Sequence, residues 1–194
     1  RRPINLDYLK YKDKIKKIES DLVKLSQKFP NSPHAAFALA QIYIRDPKQA
    51  DKAIAAVDKA CELDKQNVAY AITSATLYYR KYLTDSNPAD YQKAIDIAAQ
   101  ALTYPDSLDI PGPKQRTSMI NRYSLHSFLA NCYLDRAAVA NETQKADNLT
   151  LAEKEVHELN QILGTAENPY AIMWQGRILL AKDQKGEAIK LLYD

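Results

Sequence analysis

The chain has 194 residues, long enough for one domain with a sizeable core, and its 4 glycines and 9 prolines stand against abundant Ala, Leu, Ile, Lys and Gln, which are good helix formers. No continuous apolar run approaches the roughly 20 residues that a membrane-spanning helix needs, which excludes a span of that kind. Charge nearly balances, 27 Lys or Arg against 24 Asp or Glu for a net +3, without the strongly basic face and aromatic or Arg clusters of a nucleic-acid reader.

The charge excess is local. Residues 1–30 hold nine Lys or Arg and four Asp or Glu, a surplus of +5 that leaves −2 for the rest. The plain reading is the solvated outer face of a terminal helix; the alternative is contact with an acidic partner, nucleic acid or lipid headgroups. The N-terminus opens Arg1-Arg2-Pro3 and shows no signal peptide. Cys61 and Cys132 lie far apart on predicted helices, with no C-x-x-C or Cys/His spacing, and read as small buried hydrophobes.

In chain order, Ile4 to Phe29 reads as a helix: Leu6, Leu9, Ile15, Ile18, Leu22, Leu25 and Phe29 recur at three- and four-residue spacing with lysines between them. Pro30-Asn31-Ser32-Pro33 stops it, and Ser32 before Pro33 is a cap and first-turn pair for the next helix. That second helix runs from Pro33 to Arg45, Asp46-Pro47 breaks it, and a third covers about Lys48 to Leu63. Two helices joined by a short turn make a hairpin. The pair then recurs: Asn67 to Tyr82 with Ala89 to Leu102, and Lys114 to about Ala138 with Leu149 to Leu163. A polar loop through Asn141 and Asn148 is expected inside the third pair, and Asn168-Pro169 opens the fourth. The connection from Pro105 to Pro113 is punctuated by Pro111-Gly112-Pro113.

On these landmarks the copies align. A small residue stands at Ala40, Ala75, Ala130 and Gly176, with a bulky one three further on at Tyr43, Tyr78, Tyr133 and Leu179. The partner helix opens on Ala53, Ala94, Ala152 and Ala188, followed four on by Val57, Ala98, Val156 and Leu192. This resembles the tetratricopeptide repeat, whose pattern is L-G-x2-Y followed by A-x3-F. The resemblance covers about Pro33 to Asp194 and implies an all-α, right-handed solenoid of antiparallel helix hairpins forming a single domain over 1–194. Its parts are a leading helix (4–29) and repeats at about 33–65, 67–104, 114–164 and 168–194, the last truncated. The leading helix looks like the second helix of an incomplete preceding repeat. Small residues let two backbones approach, the tyrosine fills the gap above them, and each hairpin leaves a side that the next one covers.

The copies depart from the family pattern. Extra residues are expected in turns after Arg45, Tyr79 and Leu134, and the place of the consensus tryptophan is held by Ala36, Ala71, His126 and Ile172. The chain ends midway through an expected second helix, so more chain is expected beyond Asp194.

Nothing in the sequence points to catalysis. His34, His126 and His157 are isolated, and no H-E-x-x-H, G-x-S-x-G, phosphate-binding Gly-rich loop or paired-Cys signature occurs; no cofactor and no metal is expected. The sequons Asn141-Glu142-Thr143 and Asn148-Leu149-Thr150 are read either as glycosylation sites or as chance matches. The resemblance implies that first helices line a groove for an extended peptide or partner helix. The groove candidates are His34, Phe37, Gln41, Arg45, Ile72, Thr76, Tyr79, Arg80, Ser127, Asn131, Trp174 and Arg177, a mixture of aromatics and arginines typical of binding hot spots. At the places of the family's carboxylate clamp stand Phe37, Gln41 and Thr73, so a clamp of that type is not expected. The leading expectation is a non-catalytic scaffold for a protein or peptide partner; the alternative is a module that self-associates through exposed end helices.

Overall fold

A computed structural model describes residues 6–108, 115–164 and 168–193, with side chains described from 14 to 191 within those ranges. The Pro111-Gly112-Pro113 connection and the side chains of Leu6, Leu9 and Leu192 lie outside them. Among the described residues the regular structure is helical throughout: α1 (Leu6–Lys28), α2 (Pro33–Tyr43), α3 (Ala50–Leu63), α4 (Val68–Asp85), α5 (Pro88–Ala101), α6 (Gln115–Val139), α7 (Glu142–Leu163), α8 (Pro169–Ala181) and α9 (Lys185–Tyr193). None of these helices is long and apolar enough to cross a membrane.

Local chemistry sets most helix starts. Ser32, Asn67, Asn87, Asn141 and Asn168 are N-caps whose side-chain oxygens accept from a backbone N–H in the first turn, each worth about 1 kcal/mol. Pro33, Pro88 and Pro169 occupy the first helical position, where a missing N–H costs nothing. The stops are equally local. Ser86 ends α4 in the left-handed conformation at φ 56°, and Gly164 follows α7 at φ 87°, a conformation that carries no steric penalty for glycine.

Two sequence expectations about connections are corrected. The residues beyond Tyr79 and Leu134 are not turns but further helix, carrying α4 to Asp85 and α6 to Val139. They stay helical because Tyr82 and Arg136 pack against each other's elements, with the Arg136 guanidinium donating to the Tyr82 hydroxyl at 3.0 Å. The expected loop through Asn141 and Asn148 is also helix: α7 starts at Glu142, so only Ala140 and Asn141 separate it from α6. Asn141 accepts from the Gln144 N–H at 3.0 Å, and Asn148 donates to the Gln144 carbonyl at 2.6 Å. The second sequon is therefore helical and the first starts on the N-cap of α7, so Asn141→Ala should lower stability by about 1 kcal/mol, read from a urea midpoint. After Arg45 the extra residues form a short 3-10 turn, Pro47–Gln49.

Each helix packs on its chain neighbour: α2 on α3, α4 on α5, α6 on α7 and α8 on α9, with α1 on α2, α3 on α4, α5 on α6 and α7 on α8 between the pairs. The first helices of successive pairs also touch, α4 with α6 and α6 with α8. The aligned small residues are where the helices meet. Ala40, Ala53, Ala75, Ala94, Ala130 and Ala152 are 0% exposed and Ala188 is 1% exposed. Enlarging one of them, as in Ala75→Leu, should cost about 1–3 kcal/mol by forcing the backbones apart, measurable by chemical denaturation.

The core has a break at α6. Leu125, Leu129 and Cys132 of α6 join the larger cluster built on α2 to α5, whereas Ala130, Leu134 and Ala137 join a second cluster with α7 and α8. One helix thus presents apolar residues to two sides, and Tyr133 packs against both.

Candidate interaction surface

The candidate surface rests on the first helices α2, α4, α6 and α8. His34, Gln41, Arg45 and Arg80 are exposed; Phe37, Ile72, Thr76, Ser127, Asn131 and Arg177 are half-buried. Two candidates are corrected. Tyr79 and Trp174 are 9% and 2% exposed and belong to the core rather than to an open face. Their size, the property that makes aromatics good anchors for a ligand, is spent on neighbouring helices instead.

On α2 the candidates are drawn inward. The Phe37 ring lies 4.6 Å from that of Tyr70 on α4, and His34 Nδ1 sits 2.7 Å from the Tyr70 hydroxyl. Phe37 and His34 therefore tie α2 to α4, leaving Gln41 and Arg45 free of such a contact. On α4, the Thr76 hydroxyl is turned to its own helix, donating to the Ile72 carbonyl at 2.8 Å. Arg80 lines a cleft of about 300 Å³ with Tyr43, Asp51, Leu77 and Lys81.

The α6–α8 end is organised differently. Arg177 donates to the Asn131 side-chain oxygen at 2.6 Å, and its guanidinium lies 4.7 Å from the Trp174 ring centroid. Asn131 in turn donates to the Ser127 carbonyl at 2.8 Å, one turn earlier on α6. The Ser127 hydroxyl and the Trp174 ring N–H are buried without a hydrogen-bond partner among the described residues. Four of the predicted residues thus come together as one polar patch built over a tryptophan.

Sequence reasoning missed three side-chain networks. His126, read as isolated, lies with its Nδ1 2.6 Å from Glu155 Oε2, and both residues are 8% exposed. This contact ties α6 to α7 across 29 positions of sequence, which no local motif encodes. Asp58 accepts from Ser74 at 2.9 Å and from the Tyr78 hydroxyl at 2.6 Å, while Lys93 approaches the same hydroxyl at 2.5 Å and lies over the Tyr78 ring at 4.0 Å. That network joins α3, α4 and α5 beside a cleft of about 360 Å³ lined also by Cys61, Glu62 and Lys65. The third gathers Tyr79, Tyr82, Tyr91 and Phe128, with the Tyr79 hydroxyl donating to Asp135 at 2.6 Å and Arg136 over Tyr91 at 5.4 Å. The thirteen tyrosines of the sequence were the available signal, but composition does not say which carboxylate each one meets.

These surroundings set protonation. Burial pushes the Cys61 thiol up to about 11, helped by the carboxylates of Asp58, Asp64 and Glu62. Burial does the same to Cys132, with a contribution from Asp135. Both cysteines are free thiols. A thiol is nucleophilic only as thiolate, so alkylation of Cys61 by iodoacetamide should stay slow at about pH 8 and accelerate above about pH 10. An equal rate at both would contradict this environment.

The tyrosines carry a stability consequence. Tyr70, Tyr78, Tyr79, Tyr91, Tyr104 and Tyr133 are all held above the ordinary phenol value, foremost by burial, and Tyr78 and Tyr79 further by their hydrogen bonds to Asp58 and Asp135. In the unfolded chain these phenols ionise near pH 10, while in the fold they keep their protons to higher pH. The unfolded state therefore sheds protons first, so the stabilisation is complete below about pH 10 and declines as pH rises beyond it. Urea midpoints should be level up to about pH 9 and fall above about pH 10, less steeply in Tyr79→Phe.

No known family model matches the chain, and no curated protein matches it. The family resemblance rests on the residues named above.

Proposed function

We propose that the chain is a divergent tetratricopeptide-like array, a solenoid of helical hairpins, and that it is a non-catalytic scaffold holding a segment of another protein along its first helices. Support for the array comes from the packing of every helix on its neighbour, the contacts from α4 to α6 and α6 to α8, and the complete burial of the repeated alanines.

The observation that carries the binding reading is Arg177. Its guanidinium is stacked on Trp174 and bonded to Asn131, and no carboxylate of another described residue lies within ion-pair distance. A guanidinium has five N–H donors in a fixed fork. Held in place beforehand, it can engage a partner's acceptor groups without the ordering cost that a free side chain pays. Arg80 of α4 and Arg45, just past the end of α2, are further exposed cations.

Panning random displayed peptides on the folded chain tests the reading. Enrichment of acidic peptides that bind the wild type and lose about tenfold or more on Arg177→Glu or Arg80→Glu is the expected result. Failure to enrich any peptide, or peptides that bind the variants equally well, would contradict it.

A further inference from the structure

We infer that the open side of α1 is a second docking surface, separate from the α6–α8 patch, whose partner is an acidic amphipathic helix. The apolar residues Ile15, Ile18, Leu22, Leu25 and Phe29 follow a three-four spacing, the repeat with which one helix packs along another. Ile15 and Leu22 are half-buried, whereas Ile18, Leu25 and Phe29 remain 48%, 43% and 49% exposed. The covered side is the one facing α2: α1 packs on α2, and Ser26, half-buried like Ile15 and Leu22, lines a cleft with Ala36 and Leu39 of α2. Half of a helix-packing seam is thus occupied and half is open.

The charge beside the open half defines the partner. Lys14, Lys17, Asp21, Lys24 and Lys28 follow the same three-four spacing and form one row next to Ile18 and Leu25. None of the four lysines has a carboxylate of another described residue within ion-pair distance; Lys28 lies over the Phe29 ring at 5.5 Å. At the end of the seam, Phe29 and Lys59 of α3 line a small cleft of about 50 Å³ with Ser26, Ala36, Leu39 and Ala56. Lys28 thus lies over the Phe29 ring, and Lys59 shares its cleft. A second copy of the chain docked by this face would bring two lysine rows together, which is repulsive. A helix with apolar residues at three-four spacing and acidic flanks meets both the seam and the row. Asp21, at the centre of the row, favours one basic residue at the middle of the partner's flank and so favours a helix over an anionic lipid surface.

Three synthetic helical peptides and vesicles test this. All peptides share a leucine seam; one has glutamate flanks with a single central lysine, one glutamate flanks throughout, and one lysine flanks throughout. Binding to the wild-type chain, followed by fluorescence anisotropy, should rank the first peptide tightest and the lysine peptide weaker by about tenfold or more, with affinity falling as salt rises. Ile18→Ser with Leu25→Ser should abolish binding with helicity by circular dichroism unchanged, since both side chains are about half exposed. Reversing the row (Lys14→Glu, Lys17→Glu, Lys24→Glu and Lys28→Glu) should transfer the preference to the lysine peptide. Asp21→Lys should weaken the first peptide. The inference is overturned if no peptide binds, if acidic and basic peptides bind alike, or if Ile18→Ser dissociates a dimer of the chain. It is equally overturned if phosphatidylserine vesicles bind where the peptides do not and Asp21→Lys strengthens that binding.

Discussion

Glu155→Ala is expected to cost about 3–5 kcal/mol, a large part of the roughly 5–15 kcal/mol by which domains of ordinary size are stable. Glu155 and His126 are each 8% exposed and 2.6 Å apart, so removing either leaves the other buried without its partner. The loss comes from that stranded polar group rather than from the worth of the contact itself. The combined change His126→Leu with Glu155→Leu should therefore recover most of the loss, because two apolar side chains leave nothing to solvate. Urea denaturation of the two single variants and the double variant measures this directly. If the double variant is as unstable as the sum of the singles, the pair is not the coupled unit that its geometry indicates.

Tyr79→Ala is expected to rank next, at about 3–5 kcal/mol. The ring stands among Tyr82, Tyr91 and Phe128, with centroid distances of 6.1, 6.3 and 5.8 Å, and it links α4 to α5 and α6 at once. Truncation opens a cavity between three helices that cannot all close over it. Tyr79→Phe keeps the ring and loses only the hydroxyl's bond to Asp135; because Asp135 is exposed, water replaces that donor and the cost falls to about 1 kcal/mol. A thermal or urea midpoint that drops equally in both variants would mean that the hydrogen bond, and not the ring, holds the helices. Tyr79 is accordingly the wrong residue with which to probe binding, since a lost partner could reflect a loosened core. Arg80 and Arg177 are the better probes.

The two proposed docking surfaces differ in how they would fail. The α6–α8 patch depends on one guanidinium held by Asn131 and Trp174, so a single charge reversal at Arg177 should act locally. The proposed α1 seam depends on a row of lysines with no ion-pair partner among the described residues, beside three half-exposed apolar side chains, so its affinity should fall steeply with salt.

Much of the helical order was legible in the sequence because its causes are local. An oxygen-bearing side chain before a proline marked helix starts at Ser32 and Asn168, and the three-four spacing of Ile15, Ile18, Leu22, Leu25 and Phe29 needs no partner to be read. The recurring alanines announced where backbones would meet, since only a small side chain tolerates that approach. What happens between distant positions was not legible. The helices were read to Tyr82 and about Ala138, yet the extra residues after Tyr79 and Leu134 were assigned to turns; the contact between Tyr82 and Arg136 that joins these ends spans 54 positions. His126 was read as isolated because Glu155 reaches it only once α7 folds back on α6. Tyr79 and Trp174 have the composition of ligand anchors, yet their burial depends on which helix lies across them. Sequence by itself determined which segments are helical and where small residues let them touch, because capping and spacing act within a few residues. The tertiary structure alone decided which polar side chains are consumed in holding the helices together, as His126 with Glu155 and Tyr79 with Asp135, because those pairings join groups that only packing brings within reach.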